Sequence, residues 1–194
     1  MRFAAISTDT SPTLPGDLAP EPGGRHVILV GLPGAGKSTV GSLLARKLRV
    51  GFLDFDVEIV RRAGMPITEI FATSGEVAFR RLELALTEEV AVQSAMVLSP
   101  GGGWVTQPQA VALLKPRSQF VYLRISPAGA VRRMGRRMST RPLLQKADPR
   151  AELELLLARR RDVYEASEIV IDVEALDAQR VAGLVLRRLA QFPT

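Results

Sequence analysis

Short apolar runs alternate with longer amphipathic segments along most of the chain. Five of the apolar runs are too short for helices and are typical of buried parallel strands. They lie at 26–30, 52–53, 95–99, 119–125 and 169–173. The segments between them carry apolar residues at helical spacing, at 37–48, 57–63, 67–73, 74–93, 109–114, 127–137, 149–164 and 177–189. This alternation predicts an α/β fold, in which helices flank a parallel sheet of about five strands.

Residues 1–24 fall outside this pattern. They contain four prolines and three glycines and little periodic hydrophobicity, which is typical of a flexible tail. We therefore predict a tail at 1–24 and one domain at 25–194. Because the tail carries no motif and little apolar surface, we expect its deletion to leave turnover and melting temperature nearly unchanged.

Composition excludes several classes of protein and site. The 194 residues include no cysteine and one histidine, His26, which excludes disulfide frameworks, thiolate zinc sites and most histidine-based triads. No apolar run approaches the ~20 residues that cross a bilayer, and the start lacks an apolar secretion segment. We expect a soluble, cytoplasmic protein without a membrane partner.

Positive charge is concentrated in one stretch. The chain has a net charge of +6, and ten basic residues but only three acidic ones lie between Arg132 and Arg161. Guanidinium groups suit phosphate or carboxylate ligands, so this stretch is a candidate anion-binding region. A solvated basic helix face is the alternative. Nucleic acid is disfavoured, because few aromatic side chains interrupt the stretch.

A glycine-rich loop follows the first predicted strand. The segment from Gly31 to Ser38, Gly-Leu-Pro-Gly-Ala-Gly-Lys-Ser, fits the phosphate-binding loop pattern G-x-x-x-x-G-K-[ST]. Its glycines let backbone N–H groups surround a phosphate, Lys37 neutralises phosphate charge and the Ser38 hydroxyl can bind Mg²⁺. The loop lies between a β-branched strand and an amphipathic helix, which is the context that this motif requires. We call residues 31–38 the P-loop.

Charged residues and glycines mark four further positions. Asp54 and Asp56 close the second strand. In one interpretation one carboxylate organises the water shell of Mg²⁺ and the other binds a substrate hydroxyl or accepts its proton. In the other interpretation they cap the next helix. Arg80 and Glu83 lie three residues apart, so on a helix they can form an ion pair that holds the guanidinium in place. An ordinary surface ion pair has the same spacing and is the alternative. Gly101–Gly103 form a loop that could expose main-chain N–H groups to a substrate. Arg141 and the run at 159–161 lie in the basic stretch.

Taken in order, these segments resemble the shikimate kinase family, which are small P-loop kinases of aromatic amino-acid biosynthesis. The resemblance spans residues 26 to about 190. The segments that carry it are GLPGAGKST (31–39), LDFD (53–56), GEVAFRRLE (75–83), GGG (101–103), RPLL (141–144) and the arginine-rich helix ending in Tyr164. It implies a three-layer α/β/α kinase fold with a mobile lid at about 136–150.

The resemblance also implies how ATP and metal are bound. The P-loop holds the phosphates, Arg141 belongs to the lid that closes over them and Arg133 is the nearest match to an arginine that stacks on adenine. The implied ATP-binding residues are Gly34, Ala35, Gly36, Lys37, Ser38, Thr39, Arg133 and Arg141. Ser38 and, through water, Asp54 bind Mg²⁺ as the cofactor.

A second set of residues is implied to bind the phosphate acceptor. Asp56 binds the ring hydroxyls of shikimate and accepts the proton of the attacking one, while two arginines hold its carboxylate. The implied substrate-binding residues are Asp56, Arg80, Gly101, Gly102, Gly103 and Arg160. The implied catalytic residues are Lys37, Asp56 and Arg141.

Three positions need a choice or depart from the family pattern. Arg160 is preferred over its neighbours Arg159 and Arg161 because it precedes Tyr164 by four residues. The spacing from Arg133 to Arg141 is one residue longer than expected. Trp104 follows the glycines where a small or aliphatic residue is expected. We predict that it lies at the pocket rim and reports on shikimate binding, and a place in the core is the alternative.

We therefore predict a monomeric shikimate kinase, which transfers a phosphoryl group from ATP to the 3-hydroxyl of shikimate. Its partners are these two small molecules, with no nucleic acid and no membrane. Two alternatives remain: a related small-molecule kinase such as gluconate kinase, or a kinase-like sensor that binds ligand without turnover. The residues expected of the catalytic set are all present, and no DNA-binding helix pair precedes the domain, which disfavours the sensor.

Overall fold

The five apolar runs form one parallel sheet in the order β2-β3-β1-β4-β5. The structure is a computed structural model that describes residues 24–135 and 148–192. The strands are β1 (His26–Val30), β2 (Gly51–Asp54), β3 (Met96–Ser99), β4 (Ser118–Arg124) and β5 (Ile169–Asp172). The predicted α/β fold with a five-stranded parallel sheet is confirmed.

Helices connect the strands and cover the sheet. They are α1 (Lys37–Leu48), α2 (Phe55–Ala63), α3 (Ile67–Ala91), α4 (Pro108–Leu114), α5 (Pro127–Met134), α6 (Pro149–Glu165) and α7 (Ala178–Leu189). Short 3₁₀ turns lie at Trp104–Thr106 and Lys115–Arg117. Helix α1 packs against α7, and α3 packs against α4. Of these helices, none is long and apolar enough to cross a membrane.

The order of the strands determines where a ligand can bind. All five residues of β1 are buried at the centre of the sheet. From it the chain runs to one side for β2 and β3 and to the other for β4 and β5. Loops that follow the strands on either side of such a reversal diverge, and leave a crevice at the carboxyl edge of the sheet. The P-loop follows β1 directly and therefore lies in this crevice.

The register of β2 and β3 aligns two of the motifs. Asp54 pairs with Ser99, so both strands end at the same level. The segment that starts with Asp54 and the Gly101–Gly103 loop therefore emerge side by side. Sequence positions almost fifty residues apart are brought together at one edge.

Helix α3 contains a break near its predicted boundary. The sequence predicts separate helices on either side of Ser74, and the backbone leaves helical geometry at Gly75, with φ 78° and ψ 172°. Residues other than glycine rarely adopt this backbone conformation. Gly75 thus separates two helical parts of α3, and the second part carries Arg80 and Glu83.

Trp104 lies in the core rather than at a pocket rim, so that prediction is wrong. Its side chain has 0% exposure, and its Nε1 donates a hydrogen bond to Thr87 Oγ1 at 2.8 Å. The ring packs between Phe55 and Phe120. The 3₁₀ turn that begins at Trp104 directs the indole under the glycine loop. Because the indole is already shielded from water, shikimate has no solvent to exclude from it.

Two predicted segments lie mostly outside the described residues. Of the predicted tail, the structure describes only Gly24. Of the predicted lid, at about 136–150, it describes only residues 148–150. The helix predicted at 127–137 is helical to Met134, and its last two positions also lie outside. Arg141 is therefore not placed by the structure, and the roles of the tail and lid stay predictions.

Candidate active site

The P-loop forms a tight turn between β1 and α1. Gly31, Gly34 and Gly36 have φ values of 139°, 86° and 94°, which favour glycine. A Cβ on Gly31 would lie 2.6 Å from the Leu123 carbonyl oxygen, and one on Gly34 would lie 2.7 Å from that of Ala130. Neighbouring backbone therefore fixes the loop from outside. The N-terminus of α1 begins directly after the loop, where it can face an anion.

A cavity of about 640 Å³ opens at the carboxyl edge of the sheet. It is lined by the P-loop, by the ends of β2 and β3 and by the start of α7. The described residues predicted to bind ATP all line it, as do Asp54, Asp56, Gly101 and Gly102. Arg80, Gly103 and Arg160 are not part of its lining.

Arg133 forms one wall of this cavity. Its guanidinium donates hydrogen bonds to the carbonyl oxygens of Val173 and Leu176, the latter at 2.8 Å. The cavity wall nearby contains the apolar side chains of Leu176, Ala178 and Val181. A planar cation beside an apolar surface suits a flat aromatic base. This end of the cavity can accommodate the adenine ring.

Asp54 and Asp56 do not both close the second strand, which corrects that prediction. β2 ends at Asp54, and Asp56 lies in the first turn of α2. Asp54 Oδ1 accepts hydrogen bonds from the backbone N–H groups of Asp56 and Val57, at 3.1 and 3.3 Å. The helix-cap interpretation is thus correct for Asp54. Its other oxygen accepts a hydrogen bond from the Ser38 hydroxyl, so the cap also faces the P-loop.

The Gly101–Gly103 loop is surrounded by charged side chains. A Cβ on Gly101 would lie 2.8 Å from Asp56 Oδ1 and from Glu83 Oε1. One on Gly102 would lie 3.4 Å from Arg160 Nη1, and one on Gly103 would lie 2.3 Å from Arg80 Nη2. None of the three has a positive φ. Gly101 and Gly103 are needed here for their missing side chains, since a Cβ at either position would occupy space that the charged groups use, whereas Gly102 leaves nearly enough room for one.

Arg80 is held on its own helix by two carboxylates. Its Nη1 donates to Glu83 Oε2 at 2.6 Å, and its Nη2 donates to Glu76 Oε1 at 2.7 Å. The pair predicted from the spacing of Arg80 and Glu83 therefore forms. Its setting differs from a surface ion pair, because Glu83 is fully buried. The two carboxylates use only some of the five N–H donors of the guanidinium, so the others can bind a ligand.

Glu83 and Gln107 were not assigned to the site from the sequence. Burial raises the pKa of Glu83 to about 7, against the lowering effect of Arg80. Gln107 Nε2 donates to Glu83 Oε2 at 2.7 Å. A carboxylate on the apolar side of a helix, four residues after Phe79, is a signal that could have revealed Glu83. Nothing in the sequence around Gln107 distinguishes it from a loop residue.

Arg160 differs from its two neighbours in burial. It has 6% exposure, whereas Arg159 and Arg161 are exposed. Tyr164, one turn later on α6, donates from its hydroxyl to the Gly102 carbonyl at 3.4 Å. The four-residue spacing thus brings Arg160 and Tyr164 to the same side of the glycine loop. This placement supports the choice of Arg160 made from the sequence.

Comparison with protein families identifies the group to which the molecule belongs. The model of the family described as shikimate kinase matches residues 33–190. This chain belongs to the shikimate kinase family. The resemblance found in the sequence is thereby confirmed, and with it the predicted function, an ATP-dependent phosphotransferase that acts on shikimate.

Individual members of the shikimate kinase family match most of the chain. The enzyme named shikimate kinase from Nitrobacter winogradskyi is 40% identical over 172 residues, which cover 87% of this chain and 80% of that protein. The one from Mycobacterium avium is 43% identical over 163 residues, which cover 84% and 92%.

Solved structures of the family have the same fold. Shikimate kinase from Acinetobacter baumannii, in complex with shikimate, aligns with a TM-score of 0.82 and 37% identity, over 87% of this chain and 94% of that one. A gluconokinase from Sinorhizobium meliloti has a TM-score of 0.59 and 21% identity, over 87% and 93%. The gluconokinase shares the fold, and at this identity the likeness extends no further.

A pair of alanine substitutions tests why the loop consists of glycines. Gly103→Ala places a methyl group where the Arg80 guanidinium lies, so Arg80 must move. We expect the shikimate KM to rise on the order of 10- to 100-fold, with the ATP KM unchanged. Steady-state kinetics with each substrate varied in turn measures both values.

Gly102→Ala is the matched control. Its Cβ would lie 3.4 Å from Arg160 Nη1, a contact that a few tenths of an ångström of movement relieves. Its shikimate KM should change much less than that of Gly103→Ala, and both variants should melt close to the wild type. Equal effects of the two substitutions, or a shikimate KM unchanged in Gly103→Ala, would contradict the steric explanation.

Proposed function

We propose that this protein transfers the γ-phosphoryl group of ATP to the 3-hydroxyl of shikimate, with the acceptor bound over the Gly101–Gly103 loop. The observation that carries the proposal is the convergence of Asp56, Arg80 and Arg160 on that loop, beside the P-loop. A family member bound to shikimate shares the fold over most of the chain, which supports the choice of acceptor.

Two arginines supply the charge that a carboxylate ligand needs. The Arg80 guanidinium lies against Gly103 and the Arg160 guanidinium lies near Gly102. Charge-assisted hydrogen bonds from two fixed guanidinium groups orient a carboxylate as well as bind it. Asp56, near Gly101, is then placed to accept a hydrogen bond from a hydroxyl on the far side of the same ring. The loop without side chains lets the ring lie against the main chain.

The phosphate donor occupies the other side of the cavity. Backbone N–H groups of the P-loop and the Lys37 ammonium stabilise the phosphates, and Arg133 lies where the base would stack. As the acceptor oxygen attacks the γ-phosphorus, Asp56 accepts the proton of that hydroxyl and ADP departs. We assign to Arg141 the stabilisation of the transferred group from the lid, as the resemblance implies.

Mg²⁺ fits the oxygen atoms near the P-loop. The Ser38 hydroxyl and the Asp54 carboxylate lie in hydrogen-bond contact, and both are the oxygen ligands that Mg²⁺ prefers. In the part of the chain that the structure describes, no group of three or more acidic, histidine or cysteine side chains is arranged to hold a metal ion by itself. A site with so few protein ligands suits a metal that keeps its waters and binds phosphate oxygens. When bound, Mg²⁺ would neutralise charge on the β- and γ-phosphates.

The protein acts as a monomer in the cytoplasm under this proposal. Every described side chain assigned to the two substrates comes from the same chain, so the site needs no second copy. ATP, the proposed donor, is available in the cytoplasm. The division into a dispensable tail at 1–24 and a kinase domain is part of the same proposal.

A choice of acceptors tests the function directly. In a coupled assay for ADP release, shikimate, quinate and gluconate are offered separately with ATP and Mg²⁺. We expect shikimate to stimulate ADP release most strongly. Stimulation by gluconate alone would indicate a gluconate kinase, and shikimate binding without ADP release would indicate a ligand sensor.

Two aspartate variants separate the metal from the proton acceptor. Asparagine also caps helices, so Asp54→Asn should fold normally, require more Mg²⁺ and regain activity when Mg²⁺ is raised. Asp56→Asn removes the proton acceptor, so kcat should fall roughly 10²–10⁴-fold and extra Mg²⁺ should not restore it. ATP binding should persist, because the P-loop is unchanged.

The metal titration of both variants also shows how the assignment would fail. Rescue of Asp56→Asn but not of Asp54→Asn by Mg²⁺ would mean that the two roles are exchanged. Wild-type turnover in both variants would restrict the pair to capping α2 and place the chemistry elsewhere.

A further inference from the structure

One oxygen of the buried Glu83 carboxyl group lacks a hydrogen-bond partner. Oε2 accepts from Arg80 Nη1 at 2.6 Å and from Gln107 Nε2 at 2.7 Å. Oε1 has no partner among the described residues, and the side chain has 0% exposure. A charged oxygen that is buried without a donor is unfavourable. A proton on Oε1 would remove that charge and leave both hydrogen bonds to Oε2 intact.

A second carboxyl group faces the same space. Glu83 Oε1 and Asp56 Oδ1 each lie 2.8 Å from the position that a Cβ on Gly101 would occupy. Two carboxylates that share a site cannot both ionise freely, so the negative charge of Asp56 disfavours the ionised form of Glu83. Burial is the larger effect, and the two together raise the pKa of Glu83 to about 7 despite the opposing Arg80.

The charges around Glu83 come from three helices. On α3 the Arg80 guanidinium lies between Glu83 and the more exposed Glu76. Helix α2 contributes Asp56, and α6 contributes Arg160 across the glycine loop. Three carboxylates therefore face two guanidinium groups before any ligand binds. A bound carboxylate would be a fourth and would also displace water, and both changes favour a neutral Glu83.

We propose that Glu83 takes up a proton when shikimate binds, so that the acceptor site binds the substrate anion and a proton together. This inference rests on the proposed function, because it takes the acceptor carboxylate to lie at Arg80 and Arg160. Protonated Glu83 still accepts from Arg80 and Gln107 through Oε2. Its Oε1–H becomes a donor toward the space over Gly101, where Asp56 and the substrate hydroxyls lie. Glu83 is thus a positioning residue whose protonation state is set by substrate.

The sign of the pH dependence follows from this linkage. Binding raises the pKa of Glu83, so shikimate affinity is highest and constant below the pKa of the free protein. Affinity falls as pH rises above that value, by up to about tenfold per pH unit, until the pKa of the complex is reached. The carboxyl group of shikimate does not contribute, because an ordinary carboxylic acid titrates near ~4.

Calorimetric titration with shikimate in the absence of nucleotide tests the proposal. At a pH of about 7.5, binding is measured in buffers that differ in their enthalpy of ionisation. We expect the observed enthalpy to depend on the buffer, with roughly half a proton or more taken up per shikimate bound. Near a pH of about 5.5, where Glu83 is already protonated, the uptake should nearly vanish.

Two variants show whether Glu83 is the group that titrates. Glu83→Gln is neutral and of the same size, so it should bind shikimate without proton uptake and with pH-independent affinity. Glu76→Gln is the matched control, since it removes the other carboxylate on Arg80 and should keep the uptake. The affinity of Glu76→Gln for shikimate can change, but its binding enthalpy should still depend on the buffer.

The outcomes that would overturn the proposal are distinct from failure of the proposed function. Shikimate binding by the wild type without dependence on buffer would overturn the proton uptake alone, even if Glu83→Gln does not fold. Uptake that persists in Glu83→Gln would assign the proton to another group and would also overturn it. An absence of shikimate binding to the wild type would contradict the proposed function, and this inference with it.

Discussion

Packing at the Gly101–Gly103 loop determines how the acceptor site is built. Charged groups from α2 and α3 approach the main chain of this loop so closely that no Cβ can be added at Gly101 or Gly103 without displacing them, and Arg160 from α6 lies near Gly102. The core beneath supports this arrangement, because Trp104 is buried under the loop and bonds to Thr87 on α3. Thr87 in turn donates to the Glu83 carbonyl oxygen at 2.7 Å. The floor of the site and its charged wall are therefore one packed unit.

On the side of the cavity proposed to bind ATP, a single residue both caps a helix and contacts the P-loop. Asp54 ends β2, caps α2 and accepts a hydrogen bond from Ser38 of the P-loop. The cap fixes the start of α2 and hence the position of Asp56. The proposed metal site and the proposed proton acceptor are thus connected through one helix N-terminus, which lets the two substrates meet in a fixed geometry.

Much of the fold could be predicted from periodicity, because strands and helices alternate with clear apolar faces. The P-loop was recognisable since its glycines are needed for backbone conformations that few other residues adopt. Trp104 was misplaced because the direction of a side chain in a 3₁₀ turn depends on the core below it. The pairing of Glu83 with Gln107 joins α3 to the loop after β3, and no local pattern reports such a contact. Arg160 is chosen from the family resemblance, which expects an arginine four residues before the tyrosine, and α6 places it one turn before the buried Tyr164.

The central claim is that two arginines at the glycine loop, the buried Arg160 and the partly buried Arg80, bind the substrate carboxylate. The most direct measurement is the shikimate KM of Arg160→Met against that of Arg159→Met, with thermal melting to confirm that both variants fold. We predict that Arg160→Met raises the shikimate KM on the order of 10- to 100-fold, as expected for lost hydrogen bonds to a charged group, and leaves the ATP KM unchanged. Arg159→Met should match the wild type, because Arg159 is exposed. A large rise in Arg159→Met and none in Arg160→Met would contradict the account.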